Sequence, residues 1–131
     1  MTVSKQVFRT GPFQAIFAQG VRVGDLLYLA GQVSMDDAGN VVGAGNIGKQ
    51  LEQCYANVDS ILGEFGGDMG NIVDETLFVT DITQILSNLE TFGAVRERVY
   101  GAPPEVSQTL VQVAALVTPD LLVELKCVAH L

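Results

Sequence analysis

The segment VSQTLVQVAALVTPDLLVELKCVAH, residues 106–130, decides the fold, because it predicts that two β-strands close the chain. The apolar stretches 106–116 and 122–130 are joined at Thr118-Pro119-Asp120, a sequence typical of a turn. Alternate residues of a strand share a face. Gln108 thus shares a face with Leu110, and Glu124 shares one with Lys126.

The position of Glu124 among apolar residues has two interpretations. A carboxylate in such a strand is costly to bury unpaired. It either pairs with Lys126 or a neighbouring strand, or it acts as a general acid/base in a cleft. The spacing alone favours the ion pair.

The upstream sequence predicts further strands. The stretch VRVGDLLYLAGQVS, residues 21–34, is typical of two strands joined by a tight turn at Gly24-Asp25. The stretch DDAGN, residues 36–40, predicts a second turn followed by the short Val41-Val42. A β-rich run then spans residues 72–80.

Two segments predict amphipathic helices. Between residues 46 and 65, apolar residues recur at steps of three and four, and Gly66-Gly67 ends the segment. A second helix contains Ile85, Leu86, Leu89, Phe92, Val95 and Val99. The order ββ(β)αβαββ predicts a single α+β domain over residues 1–131, in which two helices pack on one face of a mixed β-sheet.

The composition narrows the function classes. The chain has 131 residues and 48% hydrophobic content, which suits one core and is too short for two ordinary domains. Fifteen acidic residues against seven scattered basic ones give a net charge of -8, so we expect no nucleic-acid partner. No segment resembles a signal peptide or a membrane span, so we expect a cytoplasmic protein with no membrane partner.

Three other features give weak signals. GAGNIG, residues 43–48, matches G-x-G-x-x-G, but only Val41-Val42 precedes it, so we do not predict a dinucleotide site. Cys54 and Cys127 lie in apolar segments without CxxC spacing, which favours reduced packing residues. The single histidine, His130, is interpreted as a surface residue, and no metal site is predicted.

Four blocks of the chain resemble a known family. They are VRVGDLLYLAGQVSMDDAGNVVG, NVDSILGEFGG, LFVTDI and VQVAALVTPDLLVELKCVA. Together they are similar to the YjgF/YER057c/UK114, or Rid, family of small reactive-intermediate deaminases. The resemblance implies a chorismate-mutase-like (bacillus-type) fold and a homotrimeric barrel with three clefts between subunits. In the deaminase branch, these clefts hydrolyse 2-imino acids or their enamine tautomers to 2-keto acids and ammonia, without a cofactor.

The resemblance also assigns site residues. Gln108 occupies the place of the arginine that clamps the substrate carboxylate, Phe17 that of the site tyrosine, and Ala30 that of the serine in a Ser-Gly-Gln motif. Glu124 retains the carboxylate of a Val-Glu-Ile block. We therefore predict Glu124 as catalytic, and Gln108, Phe17, Ala30 and Gly31 as substrate-binding.

The three replacements change what the cleft can bind. An arginine fork donates two charge-assisted bonds to a carboxylate, whereas an amide is neutral and also presents an acceptor. The exchange at Gln108 should weaken carboxylate binding about tenfold or more. Lys126 is an alternative cation, although a role as the partner of Glu124 is favoured.

The leading hypothesis is a trimer whose intersubunit cleft processes a small imine, enamine or related carbonyl metabolite with altered specificity. Glu124 activates water, and Gln108 orients the ligand. The alternative is a non-catalytic trimer that binds a small ligand or a protein partner through the same cleft. An endoribonuclease role, attached to some family members, is disfavoured by the acidic charge.

Overall fold

One seven-stranded mixed sheet organises the fold in the computed structural model of the chain, which describes residues 2–131. The strands are β1 (Gln6–Phe8), β2 (Gly20–Val23), β3 (Leu26–Leu29), β4 (Gln32–Val33), β5 (Ile72–Val79), β6 (Ser107–Gln112) and β7 (Val123–His130). The α-helices are α1 (Ile47–Glu64), α2 (Ile82–Leu86) and α3 (Leu89–Tyr100), and a 3₁₀ turn spans Met69–Asn71. Within this described part of the chain, no helix is long and apolar enough to cross a membrane.

The strands follow the order β1-β2-β3-β7-β5-β6, and β4 also pairs with β7. β5 and β6 are parallel, whereas the other pairs are antiparallel. A parallel pair needs a crossover, which α2 and α3 supply. The predicted α+β class and mixed sheet are confirmed.

The helices cover one face of the sheet. Leu125, Cys127 and Ala129 of β7 are fully buried on that face and belong to the same core cluster as the apolar residues of α1. A fully buried Val, Leu or Ile side chain contributes about 1.5 to 3 kcal/mol, so this packing stabilises a helix that is marginal by itself. The opposite face, which includes Glu124 and Lys126, is less covered.

Apolar side chains remain exposed on this second face. Val7 is 47% exposed, Leu26 38% and Tyr28 46%. They belong to neighbouring strands, because Val7 pairs with Val21 and Val21 pairs with Tyr28. The single chain therefore presents an apolar strip on the face of the sheet away from its helices.

The first predicted helix is confirmed as α1, but the second is divided into α2 and α3. The break lies at Asn88, whose backbone is non-helical, with φ −129° and ψ 33°. Its side-chain Nδ2 donates to Gln84 O at 2.7 Å, which satisfies a carbonyl at the end of α2. An asparagine competes in this way with a continuous helix, so the apolar spacing alone hid the break.

The last two strands are shorter than predicted. β6 ends at Gln112, so residues 113–116 lie beyond the strand. The chain leaves the sheet there, although Val113 N still donates to Val79 O at 2.8 Å. β7 begins at Val123 and runs to His130, close to the predicted boundaries.

Candidate functional site

A cavity of about 820 Å³ lies beside β4 and β7 and includes four of the five predicted site residues. Phe17, Ala30, Gly31 and Glu124 all line it. The loop before β2, the segment from Ala30 to Asp37 and the C-terminal half of α1 form its walls. Segments far apart in the sequence thus bring these side chains to one concave surface.

Glu124 extends from β7 into this cavity and is half-buried. Burial raises the pKa of its carboxyl group, while the charge of Lys126 opposes the change. Among the residues that the structure describes, no salt bridge joins Lys126 to Glu124. The Nζ of Lys126 instead donates to Leu29 O. The predicted ion pair between Glu124 and Lys126 is therefore wrong, and the Glu124 carboxylate is available to a ligand in the cavity.

Gly31 makes room for this carboxylate. A Cβ atom added at Gly31 would lie 2.9 Å from Glu124 Cδ and closer still to Oε2. Any larger residue at this position would displace the Glu124 side chain. The neighbouring Ala30 adds a small apolar contact to the same wall.

Aromatic rings form the opposite side of the cavity. Phe17 is 39% exposed and stacks on Phe13, with ring centroids 5.8 Å apart and planes 18° apart. Both rings line the cavity. The predicted apolar character of this wall is consistent with their position, and neither ring offers a hydrogen bond to a ligand.

Two glutamines in the cavity were not predicted from the sequence. Gln32 Nε2 donates to Gln19 Oε1 at 2.7 Å and to Ala30 O at 3.1 Å. Both glutamines line the cavity. Gln19 and Gln32 are 13 residues apart, and this spacing does not predict a contact between them. The turn between β2 and β3 brings them together.

The charged groups that line the cavity are all acidic. They are Asp36, Asp37, Glu64 and Glu124, and among the residues described no Lys, Arg or His lines it. Hydrogen bonds from Asn40 lower the pKa of Asp36, so this group stays ionised. Four carboxylates without a counter-cation repel anions and favour neutral or cationic ligands.

Gln108 lies outside this cavity, on the other face of the sheet. It pairs with Glu75 across the parallel β5–β6 register, and its Nε2 donates to Glu75 Oε2 at 3.1 Å. On β5, Glu75 pairs with Cys127 of the helix-covered face, whereas Glu124 pairs with Phe78. Gln108 and Glu124 therefore do not share a hollow within one subunit. They can meet only across an interface between copies.

The partner of Gln108, Glu75, is fully buried and was also missed from the sequence. Arg96 Nη2 lies 3.3 Å from Glu75 Oε1, and the Tyr55 hydroxyl donates to both carboxylate oxygens at 3.0 and 3.1 Å. The Arg96 guanidinium also lies over the Tyr100 ring, 5.5 Å from its centroid. The sequence contained a signal for this burial. Glu75 precedes Leu77 and Val79 at intervals of two residues in β5, so it lies on the same core-facing side of the strand.

The weaker motifs have structural roles. GAGNIG is a turn followed by a helix cap, in which Asn46 Oδ1 accepts from Lys49 N at 3.0 Å. Gly43 and Gly45 adopt positive φ angles of 72° and 75°, and the segment does not follow a strand of the kind that a dinucleotide site requires.

The two cysteines are buried and free, as predicted for packing residues. Burial raises the pKa of Cys127 to about 12 and raises that of Cys54 as well. Both thiols therefore remain protonated at neutral pH. His130 is exposed at the end of β7, as predicted.

Sequence comparison connects the chain to proteins with a related sequence. A family model described as Endoribonuclease L-PSP matches residues 11–131. The RutC family protein slr0709 of Synechocystis is 32% identical over 123 residues, which cover 92% of this chain and 87% of that protein. The mitochondrial protein mmf1 of Schizosaccharomyces pombe is 30% identical over 132 residues, covering 96% and 72% of the two chains.

Solved structures share the fold. Rv2704 of Mycobacterium tuberculosis, described as a member of the YjgF/YER057c/UK114 family, superposes with a TM-score of 0.80 at 25% identity, covering 98% of this chain and 100% of that one. YyfA of Yersinia pestis, described as a protein of the Rid family, gives a TM-score of 0.83 at 26% identity, with 98% and 100% covered. The chain therefore belongs to the YjgF/YER057c/UK114, or Rid, family.

Proposed function

We propose that this protein hydrolyses a small imine or enamine at a cleft in which Glu124 is the catalytic group. Membership of the Rid family supports a role in processing small metabolites. The observation that carries the finer proposal is the unpaired Glu124 carboxylate, half-buried beside Gly31 with a raised pKa. A carboxylate whose pKa is raised is a stronger base than an ordinary glutamate, so it is better suited to accept a proton from water and return it.

The reaction needs one water and no other reactant. Glu124 takes a proton from water as its oxygen adds to the imine carbon, which forms a carbinolamine. Glu124 returns this proton to the nitrogen, which completes the neutral carbinolamine. It then takes the proton of the carbinolamine hydroxyl and passes it to the nitrogen as the C–N bond breaks, so that a carbonyl compound and ammonia leave. Phe17, Ala30 and Gly31 form the wall that holds the ligand next to this carboxylate.

The proposed assembly is a homotrimeric barrel with the chorismate-mutase-like arrangement. The exposed strip of Val7, Leu26 and Tyr28 supports it, because an apolar sheet face needs a partner surface. β6 forms one edge of the sheet. In such a trimer, Gln108 of one subunit would come opposite Glu124 of another.

The substrate is proposed to be neutral or cationic at the recognised group. Gln108 replaces a carboxylate-clamping arginine, and Phe17 and Ala30 replace two hydroxyl-bearing residues. The acidic lining of the cavity supports the same conclusion. RNA is disfavoured because the chain has a net charge of -8.

A non-catalytic role is the second candidate, in which the trimer binds a small ligand or a protein partner. The same three replacements favour it, because they remove polar groups from the site. A thermal-shift screen separates the two candidates, since a ligand that raises Tm without being converted supports binding alone.

The decisive experiment measures ammonia release from freshly generated 2-iminobutanamide and 2-iminobutanoate. We expect turnover of the neutral imine to exceed that of the carboxylate by about tenfold or more, and Glu124→Gln to abolish it. Glu105→Gln, at an exposed loop position, is the matched control. Sedimentation of each variant checks the trimer. Turnover that persists in Glu124→Gln would rule out its catalytic role.

A further inference from the structure

The orientation of the Gln108 side chain is set by the residue that it contacts. Its Nε2 lies 3.1 Å from Glu75 Oε2. An ionised carboxylate only accepts hydrogen bonds, so the amide must present its NH₂ group to Glu75. The carbonyl oxygen of Gln108 then points away from Glu75.

Glu75 is itself held in place as an acceptor. Arg96 lies 3.3 Å from Oε1, and the Tyr55 hydroxyl donates to both oxygens. Every hydrogen bond in this cluster is directed toward the carboxylate, and Glu75 is fully buried. The Glu75 carboxylate therefore offers Gln108 no donor that would favour the flipped amide.

The outward side of Gln108 remains accessible, because the residue is only partly buried at the sheet edge. A free amide could offer a ligand either a donor or an acceptor. Here the NH₂ group is turned toward Glu75 and uses one of its two N–H bonds there, so the carbonyl oxygen is fixed on the side away from Glu75 as an acceptor for a ligand, beside the second N–H. A carboxylate at this position would meet another oxygen and no cation from Gln108, whereas an N–H or O–H group would be bound.

We propose that Glu75, without touching the ligand, is a specificity-determining residue that fixes Gln108 as a hydrogen-bond acceptor. The ligand class then has a donor at this point, such as the N–H of an imine, amine or amide. This inference rests on the proposed function in one respect, namely that Gln108 faces the ligand cleft. It narrows the substrate class, because a ligand with an N–H or O–H group can bond the fixed carbonyl oxygen of Gln108, which a carboxylate or a bare carbonyl cannot do.

The test compares butanamide with 2-pentanone, a neutral ketone of the same size, so that the two probes differ in the N–H donor and not in charge. Binding of each is measured by ligand-detected NMR titration. We expect wild type to prefer butanamide by about tenfold or more. Glu75→Gln combined with Arg96→Met removes both charges of the ion pair, so neither charge is left buried without its partner. The amide introduced at position 75 can donate or accept a hydrogen bond. In this double variant Gln108 can flip, and we expect the preference to fall by about tenfold.

Tyr55→Phe is the matched control, because it removes a different donor from the same carboxylate and leaves Gln108 facing Glu75. Its preference should equal that of wild type. The inference is overturned if the double variant keeps the wild-type preference, if Tyr55→Phe loses it equally, or if wild type fails to favour butanamide. Ammonia release by wild type is measured separately. If wild type turns over imine but the double variant keeps the wild-type binding preference, only the role of Glu75 is rejected. If the preference changes in the double variant but wild type shows no turnover, only the catalytic function is rejected.

Discussion

Gly31, between β3 and β4, lies directly against Glu124 of β7, so that the absence of a side chain at Gly31 determines where the Glu124 carboxylate lies. A Cβ added to Gly31 would stand 2.9 Å from Glu124 Cδ. Gly31 has no positive φ angle, so its backbone would accept alanine. The glycine is required for space and not for conformation.

Gly31→Ala should therefore impair function more than stability. The group that must move is the flexible end of Glu124, so we expect the free energy of unfolding to change by less than about 1 kcal/mol. The displaced carboxylate no longer reaches the ligand, so kcat for imine hydrolysis should fall about tenfold or more. Steady-state kinetics and urea unfolding of the same preparation measure the two effects.

Gly63→Ala provides the control for this substitution. Gly63 lies in α1, outside the cavity, and nothing lies within 4 Å of an added Cβ. We expect it to raise the free energy of unfolding by about 0.5 to 1 kcal/mol and to leave kcat unchanged. Full activity in Gly31→Ala would show that the position of Glu124 is not critical.

The raised pKa of Glu124 also predicts a pH-dependent stability. The fold favours the protonated carboxyl, so the contribution of Glu124 is favourable below its ordinary pKa of 4.5 and is lost as pH rises through the folded pKa. At neutral pH, Glu124→Gln should therefore be more stable than wild type. The gain should stay under about 1 kcal/mol, because solvent screens a half-exposed group.

Urea unfolding between pH 4 and pH 8 would measure this effect, because this range of about four units begins just below the ordinary carboxyl pKa. The advantage of Glu124→Gln should vanish at the acidic end. Glu105→Gln, at an exposed position, should show no such trend. A Glu124→Gln variant that is less stable than wild type at neutral pH would mean that the carboxylate has a stabilising partner in the protein.

The sequence predicted most strands of the sheet and the first helix because their signals are local and strong, but it did not predict β1 (Gln6–Phe8). The apolar residues of α1 recur at helical spacing, and those of β7 alternate with polar residues, because one face of each element is buried. Such patterns can be read directly from the amino-acid sequence. The break at Asn88 was missed because a side-chain hydrogen bond to Gln84 O, and not the apolar pattern, creates it. Periodicity reports which residues are buried, but not whether the helix is continuous.

The site was predictable only in part. Phe17, Ala30, Gly31 and Glu124 were assigned by resemblance and do line one cavity. Gln108 lies on the other face of the sheet, because its register places it beside Glu75. That pairing links residues 33 positions apart in parallel strands, and a single sequence contains no measure of such register.

The buried Tyr55 and the partly buried Tyr100, both near Glu75, should respond in opposite ways to loss of the hydroxyl. Tyr55 donates to the carboxylate, so Tyr55→Phe should cost about 1.5 to 3 kcal/mol. Among the residues that the structure describes, none forms a hydrogen bond with the buried Tyr100 hydroxyl, so Tyr100→Phe should be neutral or stabilising by up to about 1 kcal/mol. Urea unfolding measures both, and equal losses would contradict the assignment of a single bonded hydroxyl.

The contribution of each ion pair to the free energy of unfolding should depend on the burial of its side chains more than on its N–O distance. Arg98 and Glu52 are separated by 2.8 Å, and their side chains are 61% and 56% exposed. Arg96 and Glu75 are farther apart, at 3.3 Å, but their side chains are only 15% and 0% exposed. Arg98→Met should therefore cost less than about 1 kcal/mol, because solvent screens the pair. Arg96→Met should cost about 3 to 5 kcal/mol, because it leaves the buried Glu75 carboxylate without its cation.

The double variant Glu75→Gln with Arg96→Met tests the cause of that loss. If an unpaired buried charge is responsible, removing the carboxylate as well should recover most of the stability lost in Arg96→Met. If the loss instead reflects the packing of the Arg96 side chain on Tyr100, the double variant should be no more stable than the single one. Chemical unfolding of wild type, both single variants and the double variant gives the coupling free energy directly, and a value near zero would show that Glu75 does not depend on Arg96.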